Sequence, residues 1–239
     1  MRTVERMPKH IGMVGVSAEG AALCYRTICV EGAERLGRHG HPEITMHTYP
    51  LARYMRYIEG NDWDAVADLL LSSAAKLQAS GADLLVCPDN TVHQAIDLLQ
   101  DRSPLPWLHI ATEVAAVAVE RRFQRVLILG TQYLMESAVY PSKLGLRGID
   151  HEVPPLDDRR RINALTFDEL VYGQFNESTR LYFSEVIAAG KRRGCDAVVL
   201  GCTEFPLLVS DAASALPVLD STRILARAAL REAVQITRQ

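Results

Sequence analysis

The sequence predicts an α/β fold of two pseudo-symmetric lobes, each a mostly parallel sheet flanked by helices, and three observations carry that expectation. Short apolar runs ending in small or polar residues alternate with helical stretches of ten or more residues, the grammar of βαβ units. The same grammar starts afresh after the Pro-punctuated stretch Ser103-Pro-Leu-Pro106. Finally, Gly81-Ala-Asp-Leu-Leu-Val86-Cys-Pro-Asp-Asn-Thr91 can be laid without gaps on Gly194-Cys-Asp-Ala-Val-Val199-Leu-Gly-Cys-Thr-Glu204. At 239 residues the chain is long enough for two cores. The expected division is an N-terminal lobe over 10–111, a C-terminal lobe over 112–220, and a last helix of about 221–239 packing back on the first lobe. Open parallel sheets bind ligands beyond the carboxyl ends of their strands, so the active site is expected in the cleft between the lobes.

Element by element, Ile11–Val16 (IGMVGV) is a strand that leads through Ser17-Ala-Glu-Gly20 into AALCYRTICVEGAERLG, whose apolar residues keep helical spacing through Leu36. Ile44–Tyr49 reads as a second strand. A helix over Trp63–Ser80 closes at Gly81, the residue type expected just past a helix end. Leu84–Cys87 is a third strand and Thr91–Gln100 a helix. In the second half, Trp107–Ile110 is a short strand, Glu113–Arg122 a helix, and Arg125–Leu129 (RVLIL) a strand running into Gly130-Thr131. A helix around Met135–Leu144, a loop with Pro154-Pro155, a long helix over Asp168–Arg193 and the strand Ala197–Leu200 (AVVL) follow. Val218-Leu219 and a helix over Arg223–Ile236 complete the pattern.

Composition excludes several classes of function. Lysine and arginine number 26 against 29 aspartate and glutamate, a net charge of −3, which leaves no electrostatic footprint for nucleic acid or an anionic membrane. Hydrophobic residues at 48% and charged residues at 23% are ordinary globular usage, so disorder is not the main state. Five cysteines (Cys24, Cys29, Cys87, Cys195, Cys202) are an odd number at irregular spacing, in a chain that needs no staples. They read as thiols in a reducing compartment. No C-x2-C pair is followed by a second pair or by H-x3-5-H, so no zinc site is expected. Met1–His10 lacks the apolar run of a signal peptide and no stretch reaches the ~20 residues of a membrane span; the expectation is a soluble, cytoplasmic protein.

The internal repeat marks the candidate site. In its register Asp89 falls on Cys202 and Asn90 on Thr203, and a weaker echo sets Ile11-Gly-Met-Val-Gly15 beside Leu127-Ile-Leu-Gly130. Any two βα units look somewhat alike, which is the bland reading. If the halves are pseudo-symmetric, Asp89 and Cys202 sit at equivalent strand ends and flank one substrate. Two such groups can remove a proton from one face of a carbon and return one to the other. The turns Asn90-Thr91 and Cys202-Thr203 open helices, so their hydroxyls and N–H groups suit a carboxylate. Preorganised donors matter there, because abstracting a proton alpha to a carboxylate builds negative charge.

At these residues the sequence resembles the aspartate/glutamate racemase family, cofactor-independent enzymes that invert an alpha carbon by a two-base mechanism. Pro88-Asp89-Asn90-Thr91-Val92-His93 is similar to the family's P-C-N-T-x-H, and Gly201-Cys202-Thr203-Glu204-Phe205-Pro206-Leu207-Leu208 to its G-C-T-E-x-P-L-L. Weaker support comes from Gly15-Val-Ser-Ala-Glu19, Asn61-Asp-Trp63, Gly130-Thr131 and Val218-Leu-Asp-Ser-Thr222 leading into Ile224-Leu-Ala226; together these run from about residue 11 to 232. The resemblance implies an amino-acid racemase acting on an acidic, Asp- or Glu-like substrate, with no cofactor and no metal, assembled as a homodimer. One-cysteine relatives of malonate-decarboxylase type keep a lyase or isomerase alternative open, and a catalytically silent binding homologue is a second alternative.

Asp89 departs from the family pattern by standing where the first cysteine usually is. Cys87, two residues earlier, is the alternative occupant of the pocket or a buried small hydrophobe. Reference values near ~3.9 for Asp and ~8.5 for Cys differ by roughly 6 kcal/mol, so Asp89 is a ready base but a poor acid unless burial raises its pKa. A nearby carboxylate would also keep Cys202 a neutral thiol. The implied division of labour is Asp89 as base, or as an electrostatic group, and Cys202 as proton donor on the opposite face. Interconversion of enantiomers is then expected to be kinetically lopsided or to give way to one-base chemistry.

By matching position, Ser17, Asn90, Thr91, Thr131 and Thr203 would hold the substrate's carboxylate and amino group, each being equally a potential helix cap. Arg53 sits where the family places a cation for a side-chain carboxylate, with Arg56 as the alternative. His93 could tune a nearby acid or be structural. Glu204 could orient Cys202 or serve a helix N-terminus. Arg159-Arg160-Arg161, placed before a helix, reads as a solvated face or loop, or alternatively as a contact for a partner subunit.

Overall fold

The computed structural model describes residues 7–99 and 101–234. Among them, eight strands form two four-stranded sheets in which every pairing is parallel. The first sheet contains β1 (Ile11–Gly15), β2 (Ile44–Thr48), β3 (Leu84–Val86) and β4 (Trp107–Leu108), in the order β2-β1-β3-β4. The second contains β5 (Arg125–Leu129), β6 (Asp150–Glu152), β7 (Ala197–Leu200) and β8 (Val218–Asp220), in the order β6-β5-β7-β8. The two orders are the same topology. The α/β class and the pseudo-symmetry expected from the sequence are both present.

The central strands form where the sequence is continuously apolar. Parallel strands covered on both faces need no polar alternation, and β1, β3 and β7 are buried along their whole length. In the second sheet the faces separate cleanly. Val126, Ile128, Ala197 and Val199 point into a core shared with Val114, Ala118, Tyr140 and Leu144. Leu127, Leu129, Val198 and Leu200 point into another with Ile162, Phe183 and Ile187.

Helices alternate with the strands: α1 (Ala18–Leu36), α2 (Leu51–Glu59), α3 (Trp63–Ala79), α4 (His93–Ile96), α5 (Ile110–Glu120), α6 (Gln132–Met135), α7 (Val139–Gly145), α8 (Leu156–Asp168), α9 (Glu177–Arg192), α10 (Phe205–Leu208) and α11 (Ser221–Val234). None is long and apolar enough to cross a membrane. Short polar side chains start several of them: Ser17 accepts from the Gly20 N–H at 3.3 Å, and Asp62 from the Ala65 N–H at 3.0 Å.

The repeat is realised where helix passes into strand. Gly81 and Gly194 follow α3 and α9 at φ of +90° and +93°, a conformation that a side chain disfavours. Two residues on, Asp83 accepts from the His10 N–H at 2.7 Å, while its own N–H donates to the His10 carbonyl at 2.8 Å. Asp196 repeats the device: it accepts from the N–H groups of Gln124 (2.6 Å) and Arg125 (3.1 Å) and donates back to the Arg125 carbonyl at 2.8 Å. Each aspartate thereby pins the start of the neighbouring central strand. The pairings Ile11↔Leu84 and Val126↔Ala197 put both units in the register of the sequence repeat.

Several predicted elements differ. Leu51–Glu59 is a helix beyond those expected from the sequence, and Asp150–Glu152 is a further edge strand tied down by Arg125, whose Nη2 lies 3.0 Å from Glu152. The loop at Pro154-Pro155 opens α8, with Pro155 at its N-cap, and the Arg159–Arg161 run lies on that helix. The long helix predicted from Asp168 starts at Glu177, because a 3-10 turn at Leu170–Tyr172 and Gly173 at φ +71° intervene. The helix predicted over Met135–Leu144 is two short ones, α6 and α7, and that over Thr91–Gln100 shrinks to α4. Gln100, residues 1–6 and the predicted end of the last helix beyond Val234 lie outside the described residues.

The chain divides into two compact units. One holds the chain up to Pro88, Ala95–His109 and the chain from Leu225 on; the other holds Asp89–Gln94 and Ile110–Ile224. The short segment after β3 is thus counted with the second sheet.

Candidate active site

Two polar turns, one after β3 and one after β7, meet in the second unit. In the first, Cys87 is fully buried and Pro88 buried, whereas Asp89 is partly exposed. Asp89 Oδ1 accepts from the Val92 N–H at 3.3 Å, an Asx-type turn that its short side chain can close. Burial pushes the Asp89 carboxyl up to about 6, assisted by the charge of Glu204 and opposed by hydrogen bonds from the Val92 and Thr91 N–H groups.

The second turn begins at Gly201, whose N–H donates to the Leu129 carbonyl at 2.7 Å. A Cβ there would stand 2.5 Å from Leu134 Cδ2 and 2.9 Å from that same carbonyl, so only glycine fits. Cys202 follows, partly buried, and its thiol donates to Glu204 Oε2 at 2.9 Å. The Thr203 hydroxyl donates to the same oxygen at 2.8 Å. Glu204 is 4% exposed, an acidic side chain kept in the interior beside two donors. Burial, then the charge of Glu204 and its hydrogen bond, and lastly the charge of Asp89, push the Cys202 thiol well above its ordinary value. The site therefore holds a neutral thiol and a carboxyl that titrates near neutrality.

Asn90 links the two turns. Its Nδ2 donates to the Ser221 hydroxyl at 2.9 Å, its Oδ1 accepts from the Tyr140 hydroxyl at 2.6 Å, and Ser221 donates to the Leu200 carbonyl at 2.7 Å. Thr91 and Thr131 bring their hydroxyls to 3.1 Å, and Thr131 also caps α6 through the Leu134 N–H at 3.3 Å. His93 is fully buried, with Nδ1 accepting from the Ile110 N–H at 3.4 Å, which ties α4 to α5.

Of the ten residues singled out in the sequence, Asp89, Asn90, Thr91, His93, Thr131, Cys202, Thr203 and Glu204 fall in this unit. Ser17 and Arg53 belong to the first. There Ser17 caps α1, and the Arg53 guanidinium lies 4.3 Å over the Tyr49 ring. Tyr140 and Ser221 escaped the sequence reading; Ser221 stood inside a quoted motif, but a tyrosine on a short helix carries no such signal. All five cysteines are outside any disulfide; Cys195 and Cys202 fall in this unit, and Cys202 is the one hydrogen-bonded to Glu204. No group of three or more His, Cys, Asp or Glu among the described residues could hold a metal ion.

Comparison with known proteins agrees with this architecture. The profile of the Asp/Glu/Hydantoin racemase family matches residues 11–229. The chain is 24% identical over 167 residues to the broad specificity amino-acid racemase RacX of Bacillus subtilis (strain 168), covering 70% of this chain and 71% of that protein. Among solved structures, a candidate Asp/Glu racemase from Yersinia pestis superposes with a TM-score of 0.87 at 31% identity, over 95% of this chain and all (100%) of that one. An aspartate racemase homologue from Pyrococcus horikoshii OT3 gives 0.82 at 26% identity, over 95% and 100%.

Proposed function

Because the chain belongs to the Asp/Glu/Hydantoin racemase family, we propose that it is an amino-acid racemase that inverts the alpha carbon of an acidic, Asp- or Glu-like substrate without a cofactor. The observation that carries this reading is the protonated Cys202 thiol sharing one cluster with the Asp89 carboxyl of pKa about 6, around buried Glu204. A base works best when its pKa lies near the working pH. Asp89 has that value; a solvent-exposed aspartate would not.

In the forward step the Asp89 carboxylate takes the alpha proton, and the electron pair of the broken C–H bond moves into the substrate carboxyl group as an enediolate. The Cys202 S–H then gives its proton to the opposite face and leaves a thiolate. Thr91 and Thr131, whose paired hydroxyls keep one proton outside their mutual bond, supply a donor for the developing oxyanion, and Asn90, Thr203, His93 and Glu204, whose side chains bond to the protein itself, support the two turns. Glu204 accepts the thiol proton at 2.9 Å and its charge opposes the thiolate, so it keeps Cys202 protonated until the S–H turns from Glu204 to the alpha carbon.

The enzyme finishes in the complementary protonation form, neutral Asp89 with a Cys202 thiolate, and that form acts on the other enantiomer. Burial and the Glu204 charge hold the thiol protonated while Asp89 titrates at about 6, so this second form is the less stable of the two. Enantiomers have equal free energy, so kcat/KM is the same in both directions; the lopsidedness appears in kcat and KM taken separately. The test is to incubate each enantiomer of Asp and of Glu and follow interconversion by chiral chromatography. Approach to an equal mixture from both sides is expected, and no interconversion of either pair would overturn the assignment of these substrates. For Ser17 and Arg53 a substrate role rests on resemblance alone. Arg53→Ala is expected to raise KM for Asp and Glu while keeping kcat, and an unchanged KM would remove Arg53 from the site.

A further inference from the structure

We propose that Tyr140 and Ser221 are positioning residues: through the Asn90 carboxamide they hold the turn that carries Asp89 to the end of the strand that delivers Cys202. The inference rests on the roles given above to Asp89 and Cys202, and three buried side chains support it. Tyr140 is 1% exposed, Asn90 2% and Ser221 0%.

The direction of every hydrogen bond in the chain is fixed by its last member. The Leu200 carbonyl can only accept, so the Ser221 hydroxyl spends its proton there. The Ser221 oxygen must then receive the Asn90 N–H, which turns the Asn90 oxygen towards Tyr140, and the phenol donates to it. A flipped carboxamide would set two oxygens against each other at Ser221 without a proton between them. Burial raises the Tyr140 phenol further above neutrality, so it remains a donor. Tyr140 belongs to the same buried core as Val126, Leu144 and Val199, which anchors it on the second sheet. Leu200 precedes Cys202 by two residues and Asn90 follows Asp89 directly. The chain of bonds therefore sets the separation of two groups that touch the substrate, while Tyr140 and Ser221 have their protons committed elsewhere.

The experiment compares the wild-type chain with Tyr140→Phe, Ser221→Ala and Ser221→Thr. Alkylation of Cys202 by iodoacetamide at pH 9, followed by peptide mapping, is read beside kcat and KM. Dryness and the Asp89 charge both keep the thiol protonated, and a loosened turn admits water and withdraws that charge; Tyr140→Phe and Ser221→Ala should therefore each alkylate at least about threefold faster. Their kcat should fall roughly tenfold with KM within about twofold, while Ser221→Thr, which keeps the hydroxyl, should stay near wild type. Lost stability alone would not change thiol reactivity in the folded protein. Wild-type alkylation rates in either Tyr140→Phe or Ser221→Ala would overturn the proposal, since breaking either bond breaks the chain. The alkylation readout needs no turnover, so a wild-type chain that racemises nothing would defeat the proposed reaction and leave this inference to be judged on its own.

Discussion

The segment around β3 and the segment around β7 are built alike where the strand begins and unlike where it ends. At the start, a left-handed glycine and an aspartate that pins the neighbouring strand recur as Gly81 with Asp83 and Gly194 with Asp196. At the end, one copy presents a carboxyl whose pKa is raised to about 6 and the other a thiol raised well above its ordinary range. Strand starts answer to backbone geometry, which both copies share. In the proposed reaction the strand ends answer to chemistry, because proton transfer in one direction needs a base at one end and an acid at the other.

The largest expected effect is on the two ends themselves. Cys202→Ala and Asp89→Asn should each lower the racemisation rate at least ~10³-fold, and a smaller loss in only one of them would mean that the ends do not act as a pair. Glu204→Gln comes next. Without its charge the Cys202 thiol ionises more readily, so alkylation at pH 8 should quicken while turnover drops about 10- to 100-fold, because the donor is no longer held protonated. At the starts, Asp83→Ala and Asp196→Ala should each cost about 1–2 kcal/mol in chemical denaturation, as backbone N–H groups at the strand start lose a charged acceptor. A neutral outcome for one and not the other would break the likeness of the starts.

The smallest effect concerns stability and pH. The folded-state pKa of Asp89 is raised from 3.8 to about 6, so folding favours its neutral form. The group is least costly below about pH 3.8, and its cost grows as the pH rises through 6. Asp89→Asn should therefore stabilise the protein at pH 8 by up to ~3 kcal/mol, reduced towards ~1–2 by its partial exposure, and lose that advantage by pH 4. Thermal melts at the two pH values check this.

Buried parallel strands announce themselves, which is why β1, β3, β5 and β7 were legible: each is a short apolar run with no polar face. The capped helices α1 and α3 were legible for the same local reason. Asp150–Glu152 has no apolar residue and becomes a strand through its ion pairs with Arg125. In α8 only Ile162 and Thr166 are buried, so hardly any period shows, and α2 follows a proline and is crowded with Arg and Tyr. Asp89 and Cys202 stand out in the sequence because a repeat compares them. Tyr140 and Ser221 do not, since their hydrogen-bond partner, Asn90, lies 50 and 131 residues away in the sequence.

The central claim is that Asp89 and Cys202 serve opposite faces of one carbon. It is tested most directly by following alpha-proton exchange in deuterated water, by NMR, for each enantiomer of the substrate with Cys202→Ala. The account predicts that this variant exchanges the alpha proton of one enantiomer only, through Asp89, and returns deuterium without inversion. Equal exchange of both enantiomers, or inversion at the wild-type rate, would contradict it.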